Sequence, residues 1–218
     1  MTLEQLIALY REQSFDKATP PFCSDELLTI YANEAQDEAC RRGDLLRDSS
    51  SVVCTIAFSA DDESVALDPR IIEIQRAKVN GQRVALSNSD EMEDELPNWD
   101  EDTRRDVPQR LIQGVTTGRL FLWPRPAEAG SIKLTVRRLP LDPLANDVDE
   151  PEIRPEMHTS LVEWMLFRAY SREETEMYND TKAALCKSRF VAEFGSKASG
   201  RNEAWARNGG HVNAPPIA

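Results

Sequence analysis

Leu3, Leu6, Ile7 and Tyr10 recur at the three- and four-residue spacing of a helix face, so the pattern predicts a short amphipathic helix over residues 2–13. Thr19-Pro20-Pro21 breaks it, because proline lacks the backbone N–H that a helix interior needs. A second helix follows. Ser24 suits its N-cap, Asp25 and Glu26 fall in the first turn where the helix dipole favours carboxylates, and Leu28, Tyr31, Ala35 and Ala39 form one stripe through about Leu46. The small residues of that stripe predict close packing against a neighbouring helix.

After Ser49-Ser50-Ser51 the hydrophobic period changes. Short strands are predicted over 52–58, 64–67, 71–78, 83–86, 110–113, 119–123 and 131–139, separated by turn residues. Asn80-Gly81 supplies the positive backbone dihedrals of a two-residue hairpin. In the last strand Ile132, Leu134 and Val136 alternate with Lys133, Thr135 and Arg137, the mark of a strand with one wet face. Strands joined in this way predict an antiparallel sandwich or small barrel.

Pro140, Pro143, Pro151 and Pro155 then punctuate a linker. From Met157 to Tyr170 apolar residues, among them Leu161, Val162, Trp164, Met165, Leu166 and Phe167, cover most of a helix circumference, which predicts burial on several sides. A last helix is expected from about Arg172 to Phe194, stopping at Gly195. The expected fold is therefore α+β. Helices within 1–50 and 157–195 form one bundle, an antiparallel β module at 51–140 is inserted between them, 141–156 is a linker, and 196–218 is a flexible tail.

Composition narrows the function. The 218 residues are 40% apolar, enough for one mixed domain or two small modules. No apolar run approaches the roughly 20 residues of a membrane-spanning helix, and Met1-Thr2-Leu3-Glu4-Gln5 lacks the basic flank of a secretion signal, so a soluble protein made in the cytoplasm is expected. Cys23, Cys40, Cys54 and Cys186 show no zinc-site spacing and no dense pairing, so they are read as reduced, partly buried thiols. The net charge of −12 argues against general nucleic-acid binding, which places Lys and Arg against phosphate. The acidity is uneven: residues 1–150 carry 29 acidic and 17 basic side chains, whereas residues 151–218 carry nine of each. An acidic body thus ends in a basic tail, a polarity that suits docking on an acidic partner.

Candidate chemistry is sparse. The stretch 90–102 holds eight carboxylates around Pro97 and Trp99, without the ligand spacing or turn glycine of a calcium loop, and reads as a solvated acidic loop. Its carboxylates could pair as in a glycosidase, but acidic pairs are common throughout this sequence. His158 begins the buried helix without a nucleophile-elbow serine or cysteine and is read as an end-of-helix hydrogen-bonding residue. Gly114, Gly118 and Gly130 read as hairpin punctuation and not as a phosphate loop. No catalytic, cofactor or metal site is expected.

The residues from Pro21 to Leu28, followed by Tyr31, Asn33, Glu34, Ala35, Glu38 and Ala39, resemble the first helix of tailed-phage head-to-tail adaptor proteins, the group that includes the tail tubular protein A of short-tailed phages. The resemblance continues through Leu67-Asp68-Pro69-Arg70-Ile71-Ile72, Pro97-Asn98-Trp99 and Leu122-Trp123-Pro124-Arg125-Pro126. It is strongest at Pro151 to His158 with Leu161, Trp164, Ala169, Tyr170 and the closing Phe190 to Gly195. Arg105-Asp106-Val107-Pro108 departs from it where a glycine would precede the proline, which implies a loop of its own shape.

This resemblance implies a structural subunit and not an enzyme. It implies a ring of about twelve copies, closed by rotation, at the head–tail junction of the virion, between the portal and the tail nozzle or tube, with tail fibres as a further partner. DNA would slide through the lumen without specific binding, and carboxylates on the wall would repel phosphate. The alternatives are another virion part, such as a nozzle, tail-completion or fibre-attachment subunit, and, from a different class, a carbohydrate hydrolase using the acidic loop. The basic tail supplies the expected portal contacts: Lys197, Arg201, Trp205 and Arg207.

Overall fold

The computed structural model describes residues 1–173 and 175–198. Among them are five helices: α1 (Leu3–Ser14), α2 (Asp25–Arg42), α3 (Ser89–Glu95), α4 (His158–Tyr170) and α5 (Asp180–Phe194). The strands are β1 (Arg47–Asp48), β2 (Thr55–Phe58), β3 (Ser64–Ala66), β4 (Ile71–Val79), β5 (Gln82–Asn88), β6 (Arg105–Asp106), β7 (Arg110–Gln113), β8 (Arg119–Trp123), β9 (Arg125–Pro126) and β10 (Gly130–Arg138). The fold is α+β. The chain divides into a helical unit, Met1–Leu46 with Leu139–Lys197, and a β unit, Arg47–Arg138.

In the helical unit, Thr2 caps α1 with its side chain while Gln5 reaches back to the Thr2 backbone, satisfying two of the N–H groups that a helix start leaves open. Ser24 caps α2 by accepting from Leu27 N–H. That helix ends four residues before the expected Leu46, because Gly43 leaves helical geometry while its N–H still bonds the Ala39 carbonyl. α5 likewise starts at Asp180 and not near Arg172. Asn179 provides the N-cap, its side chain accepting from Lys182 N–H, and its own N–H bonds back to the Tyr170 carbonyl. Nothing in the polar stretch between offers an apolar face that would reward a helix.

α4 is the hub. On one side Leu3, Leu6 and Tyr10 of α1 and Leu28 and Ala32 of α2 pack on Val162 and Met165. On another, Ala35 and Ala39 bring α2 close while Leu161 and Trp164 meet Phe190 and Phe194 of α5. Each fully buried leucine contributes about 1.5–3 kcal/mol. The segment after β10 is tied down as well: the Asn33 side chain accepts from Leu144 N–H at 2.7 Å and donates to the Leu144 carbonyl at 2.9 Å.

The β unit is an eight-stranded curled sheet of order β1-β10-β4-β5-β7-β8-β3, with β2 also paired to β10. Ile132, Leu134 and Val136 of β10 are fully buried against solvent-facing Lys133, as the alternation predicts. Asn80 and Gly81 both take positive φ and close the β4–β5 hairpin with Val79 opposite Gln82. Two register irregularities near the end of β10 bend the strand. The sheet is mixed where sequence suggests antiparallel pairing throughout: β5 and β7 run parallel. A parallel pair needs a crossover of a dozen or more residues, and the acidic stretch is that crossover. It holds helix α3, capped reciprocally by Asn88 and Glu91, and a 3-10 turn at Trp99–Glu101, where a loop is expected from the sequence.

Candidate functional site

Three surfaces gather charged or apolar side chains in ways that exceed what each unit needs to fold. The first lies at the C-terminal end of α2. Gly195, at φ 88°, turns the chain after α5, and its carbonyl accepts from Arg42 at 3.3 Å. Lys197 then donates to Glu38 Oε1 at 2.9 Å. Arg41 reaches the same oxygen at 2.7 Å and Arg42 the other at 3.1 Å. Burial opposes ionisation of Glu38, but the hydrogen bond and charge of Lys197, with Arg41 and Arg42, outweigh it and hold the carboxyl below its usual range. Arg42 is fixed by lying over the rings of Trp164 and Phe190, 5.4 and 5.5 Å from their centroids.

Three cations therefore share one buried carboxylate, with Asp37 also beside Arg41. The side chains of Arg41 and Lys197 remain 30% and 38% exposed, within reach of an outside anion. Of the residues expected to contact a portal, Lys197 is in this cluster; Arg201, Trp205 and Arg207 lie outside the described residues. Sequence reasoning missed Arg41 and Arg42, although a basic last turn was visible in α2.

The second surface is a groove of about 390 Å³ in the helical unit, between the end of α1, α4 and α5. Phe15, Leu166, Tyr170 and Leu185 line it, with Lys182 and Arg189 at its rim. Lys182 lies over Tyr170, and Arg189 pairs with Glu163 at 3.3 Å.

The third is a cleft of about 350 Å³ in the β unit, where Glu63, Asp90, Glu93 and Asp100 surround Trp99 and Phe121. The two rings meet edge to face, with centroids 6.3 Å apart. Carboxylates around aromatic faces favour cationic groups and disfavour phosphate.

The groups that could carry covalent chemistry are committed to structure. His158 is buried, its Nε2–H donating to the Ile153 carbonyl at 2.9 Å while Nδ1 accepts from the Met1 amino group at 2.8 Å. None of the four cysteines is in a disulfide, and all four are buried. Burial, then the neighbouring Glu163, push the Cys186 thiol up to about 11, far from the thiolate a nucleophile needs. Among the described residues no group of His, Cys, Asp and Glu side chains could hold a metal ion, and no helix is long and apolar enough to cross a membrane.

The SU10 adaptor protein family matches residues 1–213. The chain belongs to that family. No curated protein matches it. An SU10 adaptor protein is a structural component of a bacteriophage virion, so the resemblance read from Pro21 to Gly195 is supported at the level of a phage adaptor.

Proposed function

We propose that this SU10 adaptor is one subunit of a ring of about twelve copies that joins the portal of the filled head to the tail nozzle or tube, in the manner of tail tubular protein A. The family match over residues 1–213 carries the reading. The distribution of charge supports it. The net charge of −12 suits a channel wall that lets DNA slide, while the basic cluster around Glu38 and the tail that follows Lys197 suit an acidic portal surface. In this reading the protein is a structural part and not an enzyme, it resides at the head–tail junction of the virion, and it is made in the host cytoplasm. Tail fibres are a further partner.

Mixing the purified chain with portal rings, and separately with tail pieces, tests this. Electron microscopy is expected to show a closed ring on portals and a docked tail only on portals that carry it. Attachment to tail pieces alone, leaving portals bare, would make the chain a nozzle, tail-completion or fibre-attachment subunit instead. The portal contact has its own test. Deleting residues 198–218 should abolish attachment without moving the melting temperature, and Trp205→Ala should weaken it by more than about 1 kcal/mol. Normal decoration of portals by the truncated protein would shift the contact to the helical unit.

A further inference from the structure

Phe15 ends α1 in the left-handed conformation, φ 58°, with 78% of its surface exposed. That position favours glycine, and a bulky aromatic there pays both backbone strain and the exposure of an apolar ring to water. Leu185 on α5, at the same groove, is 50% exposed, and from Lys182 to Arg189 the helix carries Lys182, Lys187 and Arg189 with no carboxylate. The groove is thus an apolar floor with Lys182 and Arg189 at its rim, Arg189 being paired with Glu163 of the same wall.

α2 presents the complementary surface. Ile30 is 60% exposed, on the side of the helix away from Leu28, Ala32 and Ala35 in the core. Glu26 and Asp37 lie four residues before and seven after it on that same face. Asp37 is half-buried, and burial pushes its carboxyl above the usual range against the opposing charge of Arg41 one turn on.

We infer that successive copies meet head to tail through the helical unit, Ile30 of one copy seating in the Phe15–Leu185 groove of the next. Glu26 and Asp37 then face Lys182 and Arg189 across the junction. Because knob and groove lie on different helices of the same subunit, the contact is heterologous and repeats around a closed ring. This rests on the adaptor reading above. The second copy is favoured over a portal or tail protein because both complementary halves are present on this chain.

Cysteine pairing tests it directly, since the native thiols are buried. The full-length Ile30→Cys/Leu185→Cys protein, assembled on portal rings and oxidised, should give a ladder of covalent multimers on a non-reducing gel, absent from either single variant. Such a bond needs Cα atoms within about 7 Å. Rings that assemble normally without a ladder overturn this interface and leave the adaptor reading standing; a wild-type protein that forms no ring overturns both. Charge exchange gives a second measurement should the cysteine pair hinder assembly. Lys182→Glu should lower the assembled fraction roughly tenfold, and Glu26→Lys in the same chain should bring it back to within about twofold. Loss without rescue, in proteins that melt like wild type, also overturns the interface.

Discussion

Arg138 Nε donates to Asp48 Oδ2 at 2.7 Å, with 7% of either side chain exposed. Asp48 lies on β1, where the chain begins the β unit, and Arg138 ends β10, where the chain leaves it; the two strands are paired. One buried ion pair therefore clamps both ends of the inserted segment.

Removing one partner takes the opposing charge away from the other at a buried position, although Ser50 and Ser51 still bond Asp48. Asp48→Ala or Arg138→Ala should each cost about 3–5 kcal/mol of β-unit stability, whereas an apolar pair of similar volume, Asp48→Leu with Arg138→Met, should cost much less. Urea titration of the three proteins checks this.

The same pair sets an acid limit. Burial opposes ionisation of Asp48, but hydrogen bonds from Ser51 and Ser50 and the Arg138 contact prevail and hold its carboxyl far below the usual range. A depressed carboxyl stabilises fully above the unfolded value of about 3.9, and that contribution is lost as pH falls from there toward the folded value. Melting temperature should decline steeply below about pH 4 in the wild type, and less steeply in Asp48→Asn, which starts lower.

Trp164 meets Phe167 and Phe190 at centroid distances of 5.1 and 4.9 Å, and its Nε1 has no hydrogen-bond partner among the described residues. Its value is apolar. Trp164→Ala should cost about 3–5 kcal/mol, as should Leu161→Ala at the upper end of its class, while Trp164→Phe should lose much less. Thermal melts decide it, and an Ala variant with an unchanged midpoint would make this face an assembly surface.

Thiol labelling reports on the packing. With all four cysteines buried and Cys186 pushed up to about 11, only about one Cys186 in a thousand is thiolate at pH 8. Maleimide should label the folded protein slowly and take up four equivalents in denaturant. Rapid labelling of the native chain would contradict the burial.

The sequence by itself determined the α+β class, the caps at Ser24 and the Asn80-Gly81 hairpin, the buried alternation of β10 and the apolar helix around Trp164. These are local: hydrophobic period, capping chemistry and turn dihedrals act over a few neighbouring residues. It also carried the family, because motifs from Pro21 to Gly195 survive in order. It overran α2 past Gly43 and started α5 eight residues early, since periodicity does not mark where a cap ends a helix. The parallel β5–β7 pair, the clamp of Asp48 on Arg138, the hold of Asn33 on Leu144 and the three cations around Glu38 were decided only by tertiary structure. Apart from the reach of Arg41 and Arg42 to Glu38 within one helix, these join residues far apart in the chain, 90, 111 and 159 positions for the Asp48, Asn33 and Lys197 contacts, and no local rule reaches across such separations. The surfaces proposed for assembly belong with these: Phe15 and Leu185 are ordinary apolar residues in the sequence, and only the packing of α1 and α5 on α4 leaves both exposed at one groove.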